Sequence, residues 1–384
     1  MKKVYLDNSA TSFPKAPNVS KSICNYIESI GGNVGRGTYQ SSYTAGHVVY
    51  ETRELLCQLF NFNKPLNVVF TMNITVSLNI LLKGFLKQND HVIVSSMEHN
   101  AIMRPLTSLL KEGITFDKVQ CDVHGRLNPF DIEKYIKPNT KLIVMTHASN
   151  VCGTILPIEE VGKICKRHGI HFILDSAQSA GVLPIDFNKL NLSALAFTGH
   201  KGLLGPQGVG GFIIKDDFVN KVTPLIEGGT GSLSESEVQP DYMPDKFESG
   251  TLNIPNIFGL NASLKFIKSI GIDAIHEKEM ELTKHFIEGI KNIDGIRLCG
   301  LDSIEGRTAA ISLDFTNHDN SEVAFMLDKE FGIMTRVGLH CAPSAHKTLK
   351  TFPKGTVRFS PGYFTSMEDI NYTIDSIYKV IKML

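Results

Sequence analysis

Six short apolar runs punctuate the chain between residues 68 and 215: V-V-F-T at 68–71, H-V-I-V-S at 91–95, L-I-V-M-T at 142–146, H-F-I-L at 171–174, L-A-F-T at 195–198 and F-I-I-K at 212–215. Each is too short for a buried helix, and none alternates with polar residues as a half-exposed strand would, so each reads as a strand covered on both faces. Helical segments lie between several of them, near 73–85, 100–111 and 158–168. Strands alternating with helices are the βαβ rhythm of an α/β fold built on a mostly parallel sheet.

Beyond Pro255 the pattern changes. Long helices are expected at about 256–269 and 272–292, then strands such as A-A-I-S-L-D-F at 309–315. A final helix opens on the capping pair Ser366 and Asp369 and carries Ile370, Ile374, Ile377 and Ile381 on one face. This is a smaller α+β domain, with expected limits of 15–250 for the large domain and 1–14 plus 251–384 for the small one. Two polar, glycine-rich stretches, 33–47 and 228–246, read as loops. Gly205–Gly211, G-P-Q-G-V-G-G, is followed by a strand rather than a helix, which rules out a dinucleotide fingerprint.

Lys plus Arg and Asp plus Glu both number 39, so no basic field points to nucleic acid or to a membrane surface. Asp7 interrupts the N-terminal apolar run too early for a signal peptide, and seven cysteines form no C-x-x-C pair. The expectation is a cytoplasmic protein with reduced thiols and no metal site.

Lys201 stands just past an apolar strand, inside the glycine turn T-G-H-K-G-L-L-G. A lysine in a partly dry pocket loses its proton readily and can form a Schiff base; taken alone, it is more often a solvated loop residue. Asp175 ends the strand H-F-I-L-D, where open α/β sheets bind ligands. Together the two suggest pyridoxal phosphate, whose ring nitrogen needs an anionic partner. Thr75 and the amides at the start of the helix from Ile74 can seat a phosphate or simply form an N-terminal cap. Cys341 in R-V-G-L-H-C-A-P, beside His340 and near Arg336, is a candidate thiolate if those cations face it, or else a structural thiol. Arg358 can bind a carboxylate or make a surface ion pair.

These segments, L-D-S-A-Q-S-A-G and F-T-G-H-K-G-L-L-G-P-Q-G-V-G above all, resemble the class V aminotransferase superfamily, specifically its cysteine desulfurase and selenocysteine lyase branch and the SufS-like group. L-D-N-S-A-T at 6–11, N-V-G-R-G at 33–37, E-H-N at 98–100 and F-E-S-G-T-L-N at 247–253 extend the likeness over nearly the whole chain. The resemblance implies a fold type I transferase with a seven-stranded sheet, working as a homodimer on L-cysteine or L-selenocysteine and passing sulfur to an acceptor protein. Pyridoxal phosphate would be held by Lys201, Asp175 at the ring nitrogen, Gln178 and Asn150 at the ring oxygen, and His99 stacked above the ring. Ile74, Thr75, Thr198 and His200 would take the phosphate, with Gly250 and Thr251 supplied by the other subunit. Asn8, Arg36, Arg336 and Arg358 would face substrate, and Cys341 would receive the sulfur. The chain departs from the family pattern at Val76, where Glu is usual, and in P-S-A-H-K-T-L after Cys341, which leaves selenocysteine lyase or another C–S β-lyase as the alternative.

Overall fold

The computed structural model describes residues 2–35 and 37–384; Arg36, expected at the substrate, lies outside the described residues. In chain order come β1 (Val4–Tyr5), α1 (Val19–Asn25), α2 (Gln40–Leu59), β2 (Val68–Thr71), α3 (Ile74–Phe85), β3 (His91–Ser95), α4 (Asn100–Leu109) and β4 (Thr115–Val119). Then follow β5 (Thr140–Thr146), α5 (Ile158–His168), β6 (His171–Asp175), β7 (Ala194–Thr198), β8 (Gly210–Ile214) and α6 (Asp216–Val219). The remainder is α7 (Ile254–Ile270), α8 (Ile272–Ile290), β9 (Ile296–Cys299), β10 (Ile311–Phe315), α9 (Asn320–Phe331), β11 (Ile333–Met334), β12 (Arg336–Gly338), α10 (Pro343–Thr348), β13 (Thr356–Phe359) and α11 (Met367–Met383).

Seven strands form one sheet in the order β2-β8-β7-β6-β5-β3-β4, parallel except for β8, which runs antiparallel to both neighbours. Alternate residues of a strand feed opposite faces. Thus Ile93, Ile143, Met145, Leu195 and Phe197 join the core under α2, α5 and α7, while Val92, Val94, Leu142, Val144 and Ala196 join the core under α3 and α4. Both faces are buried, which is why the runs read as continuously apolar. A second sheet, β12-β13-β10-β9, carries its own core with α8, α9 and α11, and takes in Val4 and Leu6 from the N-terminus. Helix α7, which follows residue 250, packs its buried face into the core of the large sheet.

Two sequence expectations shift. Residues 40–47 are helical, not loop, because α2 begins at Gln40; Ser42 reaches back to the Asn33 carbonyl at 2.8 Å and Ala45 is buried, so a polar-looking turn is held by its inner face. The edge strand β4, T-F-D-K-V, escaped the apolar-run criterion because an edge strand tolerates charge. Among the described residues no helix is long and apolar enough to cross a membrane.

Candidate active site

The parallel strands all end on one side, and their carboxyl ends deliver the chemistry. Thr146 of β5 lies beside Asp175 of β6, which lies beside Ala196 of β7. Asp175 is buried, accepts a hydrogen bond from the Ala177 amide at 2.9 Å, and has its carboxyl pushed up by burial against the pull of Lys201. Burial drives the Lys201 amine down to about 8, with the Asp175 charge opposing and Arg358 and Arg336 adding to the fall. Lys201 and Gln178 line one small cavity with Asn8, whose side-chain amide donates to the Ser360 carbonyl at 2.9 Å. Gln178 donates to the Ser9 carbonyl at 3.0 Å.

The turn that presents Lys201 is fastened through the residue before it. The His200 carbonyl accepts from the Ser12 amide at 2.8 Å, the Lys15 ammonium at 3.0 Å, and the Thr11 and Ser12 hydroxyls at 3.1 and 3.2 Å. On the other side Gly202 packs so close to the Ala180 carbonyl that a Cβ would sit 2.5 Å from it, so only glycine fits beside the lysine.

His99 caps α4, its Nδ1 accepting from the Ala101 amide at 3.0 Å. That bond fixes the tautomer with hydrogen on Nε2. Burial first, then Lys201, Arg104 and Arg358, lower its pKa to about 4, so the ring is neutral. Glu98, part of the E-H-N motif but without a role from sequence, lies fully buried between β3 and β5, accepting from the Thr146 amide at 2.9 Å and from Ser95. Its carboxyl is pushed up to about 8 by burial.

Arg336 and Arg358 face each other across the antiparallel pair β12 and β13. Asp7 lies between them, 2.8 Å from Arg358 Nη2 and 3.5 Å from Arg336 Nη1. Arg358 is 2% exposed, also donates to the Asn150 carbonyl at 2.8 Å, and keeps a buried Nε without a partner. Two guanidinium groups and one carboxylate leave a net positive charge, which is able to bind an anion such as a carboxylate.

Cys341 is exposed, at φ 57° after His340 at φ 47°, two consecutive side-chain-bearing residues in the left-handed region. Such backbone costs about 1 kcal/mol or more per residue and persists only where its surroundings hold it. Here the Asn100 amide holds the Cys341 carbonyl at 2.8 Å and the Asn150 side chain holds the His340 carbonyl at 2.7 Å. Asn150, expected at the ring oxygen, is thus engaged with the cysteine loop. The expected cationic help from His340 fails: burial drives its pKa to about 2, its Nε2 meets the Thr356 hydroxyl at 3.1 Å, and it stays neutral.

Gly250 and Thr251 are both exposed and are not brought to Lys201. They line a separate cavity of about 480 Å³ with Asn33, Arg53 and Glu248. Glu248, within F-E-S-G-T-L-N but without a role from sequence, forms a buried two-bond pair with Arg53 at 3.0 and 2.7 Å and caps the Phe70 amide at 2.7 Å. No cluster of three or more metal-ligating side chains occurs among the described residues.

A mostly parallel seven-stranded sheet with a lysine, an aspartate and a histidine at its strand ends is the architecture of the fold type I transferases. The model of the family described as "Aminotransferase class-V" matches residues 4–373, and the chain belongs to that family. It is 34% identical to a protein of Pyrococcus abyssi and 33% identical to one of Methanothermobacter thermautotrophicus, each named "Probable cysteine desulfurase", covering 99% of this chain and 95% of each relative. The structure of a cysteine desulfurase from Thermococcus onnurineus superposes with a TM-score of 0.92 at 33% identity, covering 100% of this chain and 95% of that one. The Escherichia coli cysteine desulfurase CsdA gives 0.89 at 25% identity, over 100% of this chain and 95% of that one.

Proposed function

We propose that this protein is a pyridoxal-phosphate-dependent cysteine desulfurase that converts L-cysteine to L-alanine and leaves the sulfur as a persulfide on Cys341. The observation that carries the reading is the position of His99. It lines one groove with the Cys341 thiol while feeling the charges of Lys201 and Arg358 from within.

The residues present fit the cofactor. Thr198 Oγ1 and His200 Nδ1 are buried polar atoms with no partner. Asn73 caps the Val76 amide at 3.1 Å, and the amides of Ile74 and Thr75 find no acceptor among the described residues, an arrangement suited to phosphate. Lys201 would hold the aldehyde carbon and Asp175 the ring nitrogen. Bound there, pyridoxal phosphate would supply the electron sink for the carbon from which sulfur departs. The chain's own residues do the rest. Arg358 and Arg336 orient the substrate carboxylate, with Asp7 holding their spacing. Lys201 Nζ moves protons at the substrate carbons, helped by an amine already poised near neutrality. Cys341 Sγ attacks the substrate sulfur, so that an S–S bond forms as the C–S bond breaks.

Gly250 and Thr251, remote from Lys201 within one chain, would reach the phosphate of a second copy in a homodimer with composite sites. The test of the reaction is Cys341→Ser. Alanine formation from L-cysteine should vanish, while alanine from L-selenocysteine persists, because selenium leaves without that attack. Desulfuration at the wild-type rate would make Cys341 structural; consumption of selenocysteine alone by the wild type would make the enzyme a lyase.

A further inference from the structure

Cys341 opens outward as well as inward. Cys341 and His99 both line a groove of about 320 Å³ between α3 and α4. Thr75, Asn79 and Lys83 line one wall at four-residue spacing, and Asn100, Arg104 and Ser108 line the other at the same spacing. Side chains four apart lie one above another on a helix face, so the groove runs about 12 Å along each helix. Its two charges are both positive. Lys83 and Arg104 are exposed, no carboxylate lines the groove, and neither cation makes an ion pair or side-chain hydrogen bond among the described residues. Two cations without a carboxylate partner, one on each wall of a groove that Cys341 also lines, are a recognition element without its ligand.

We propose that this groove is the sulfur-acceptor site and that it takes a low-molecular-weight thiol carrying two carboxylates. The inference rests on Cys341 being the persulfide carrier. The volume lies at the small end of the roughly 300–1,000 Å³ typical of small-molecule sites, which suits a ligand of about dipeptide to tripeptide size. Its carboxylates would lie against Arg104 and Lys83 while its thiolate approaches Cys341. The step balances without an external oxidant or reductant. The acceptor thiolate attacks the outer sulfur of the Cys341 persulfide, the new S–S bond forms, the bond to Cys341 Sγ breaks, and Sγ leaves as thiolate while the acceptor carries the sulfane sulfur away.

The experiment uses full-length, cofactor-loaded protein in a Cys24→Ser background, since Cys24 is the other exposed thiol. Persulfide is formed with L-cysteine, excess substrate is removed, and loss of the sulfane sulfur is followed by mass spectrometry with mercaptosuccinate or with 2-mercaptoethanol. Arg104→Gln and Lys83→Gln should each slow mercaptosuccinate about three- to fivefold at low salt, the range of an exposed charge contact. Neither should alter the rate with mercaptoethanol, and salt near roughly 0.5 M should erase the difference. Equal effects on both thiols, or none on either, overturn the proposal. So does a loss of bound cofactor in Arg104→Gln, which would assign the cations to the phosphate seat. A parallel arm replaces the persulfide by a Cys341 mixed disulfide with thionitrobenzoate and reads its release by the same two thiols. If no persulfide forms from L-cysteine but this arm keeps the charge selectivity, the desulfurase reading falls and the groove stands. If persulfide forms and neither arm discriminates, the groove falls alone.

Discussion

Lys201 should titrate far below any surface lysine in the cofactor-free protein. Burial takes its amine from the ordinary 10.5 to about 8. At ~1.36 kcal/mol per pH unit that drop corresponds to about 3 kcal/mol of lost preference for the charged form. At pH 7.4 about a fifth of the chains then carry a neutral amine, against less than about a thousandth for an unperturbed lysine. Competitive acylation with an isotopically labelled anhydride across roughly pH 6 to 11, read peptide by peptide, compares Lys201 with the other lysines in one sample. Its half-reaction point should fall near 8. In Asp175→Asn it should fall lower still, because the aspartate charge is what holds the proton on. The same displacement affects stability. Between about pH 8 and 10.5 the unfolded chain binds more protons than the folded one, so stability of the cofactor-free protein should rise with pH across that window. A Lys201 that reacts in step with the exposed lysines, or a half-reaction point that rises in Asp175→Asn, would refute the account of how this site activates its amine.

Removing the carboxylate in Glu248→Ala leaves the Arg53 guanidinium buried at 5% side-chain exposure without its partner; urea denaturation should show a loss of about 3–5 kcal/mol. That variant should also need more pyridoxal phosphate for half-saturation, since Glu248 ties the loop two residues before Gly250 to Arg53 and to the Phe70 amide. Mixed dimers of inactive Lys201→Ala and Thr251→Ala chains should regain activity at limiting cofactor, and failure with heterodimers demonstrated would put Thr251 in its own subunit's site. The His99 ring should remain neutral until the pH falls to about 4, so an imidazole NMR titration centred near 6.5 would contradict its buried, Nδ1-capped setting.

What could be read beforehand was whatever local pattern encodes directly. Doubly buried strands announce themselves as apolar runs, and the capping box at Ser366 and Asp369 is present in full. The strand-end positions of Asp175 and Thr198 followed from the same periodicity. Glu98 and Glu248 stayed hidden because a buried acid is written with the same letter as a solvated one; only the Thr146 and Phe70 amides that converge on them reveal the difference. His340 was misjudged for a related reason. Proximity in sequence to Cys341 suggested a cation, but β13 turns the ring inward against Thr356 and removes it from water. The cations that share a groove with the thiol come from α3 and α4, more than 200 residues earlier.

The Asp7 contact to Arg358 spans 351 positions of sequence, and this has a consequence for biosynthesis. At ribosomal speeds of roughly 5–20 residues per second, the first strand waits on the order of tens of seconds for β11 and β13 to be made. The large sheet can collapse in that interval, but the Arg336–Asp7–Arg358 cluster cannot exist until the last tenth of the chain has left the tunnel. A nascent or C-terminally truncated polypeptide therefore carries Lys201 without the paired guanidinium groups that close its site. The closing contact joins the two ends of the chain, so appearance of this cluster would serve as a timer for completion of synthesis.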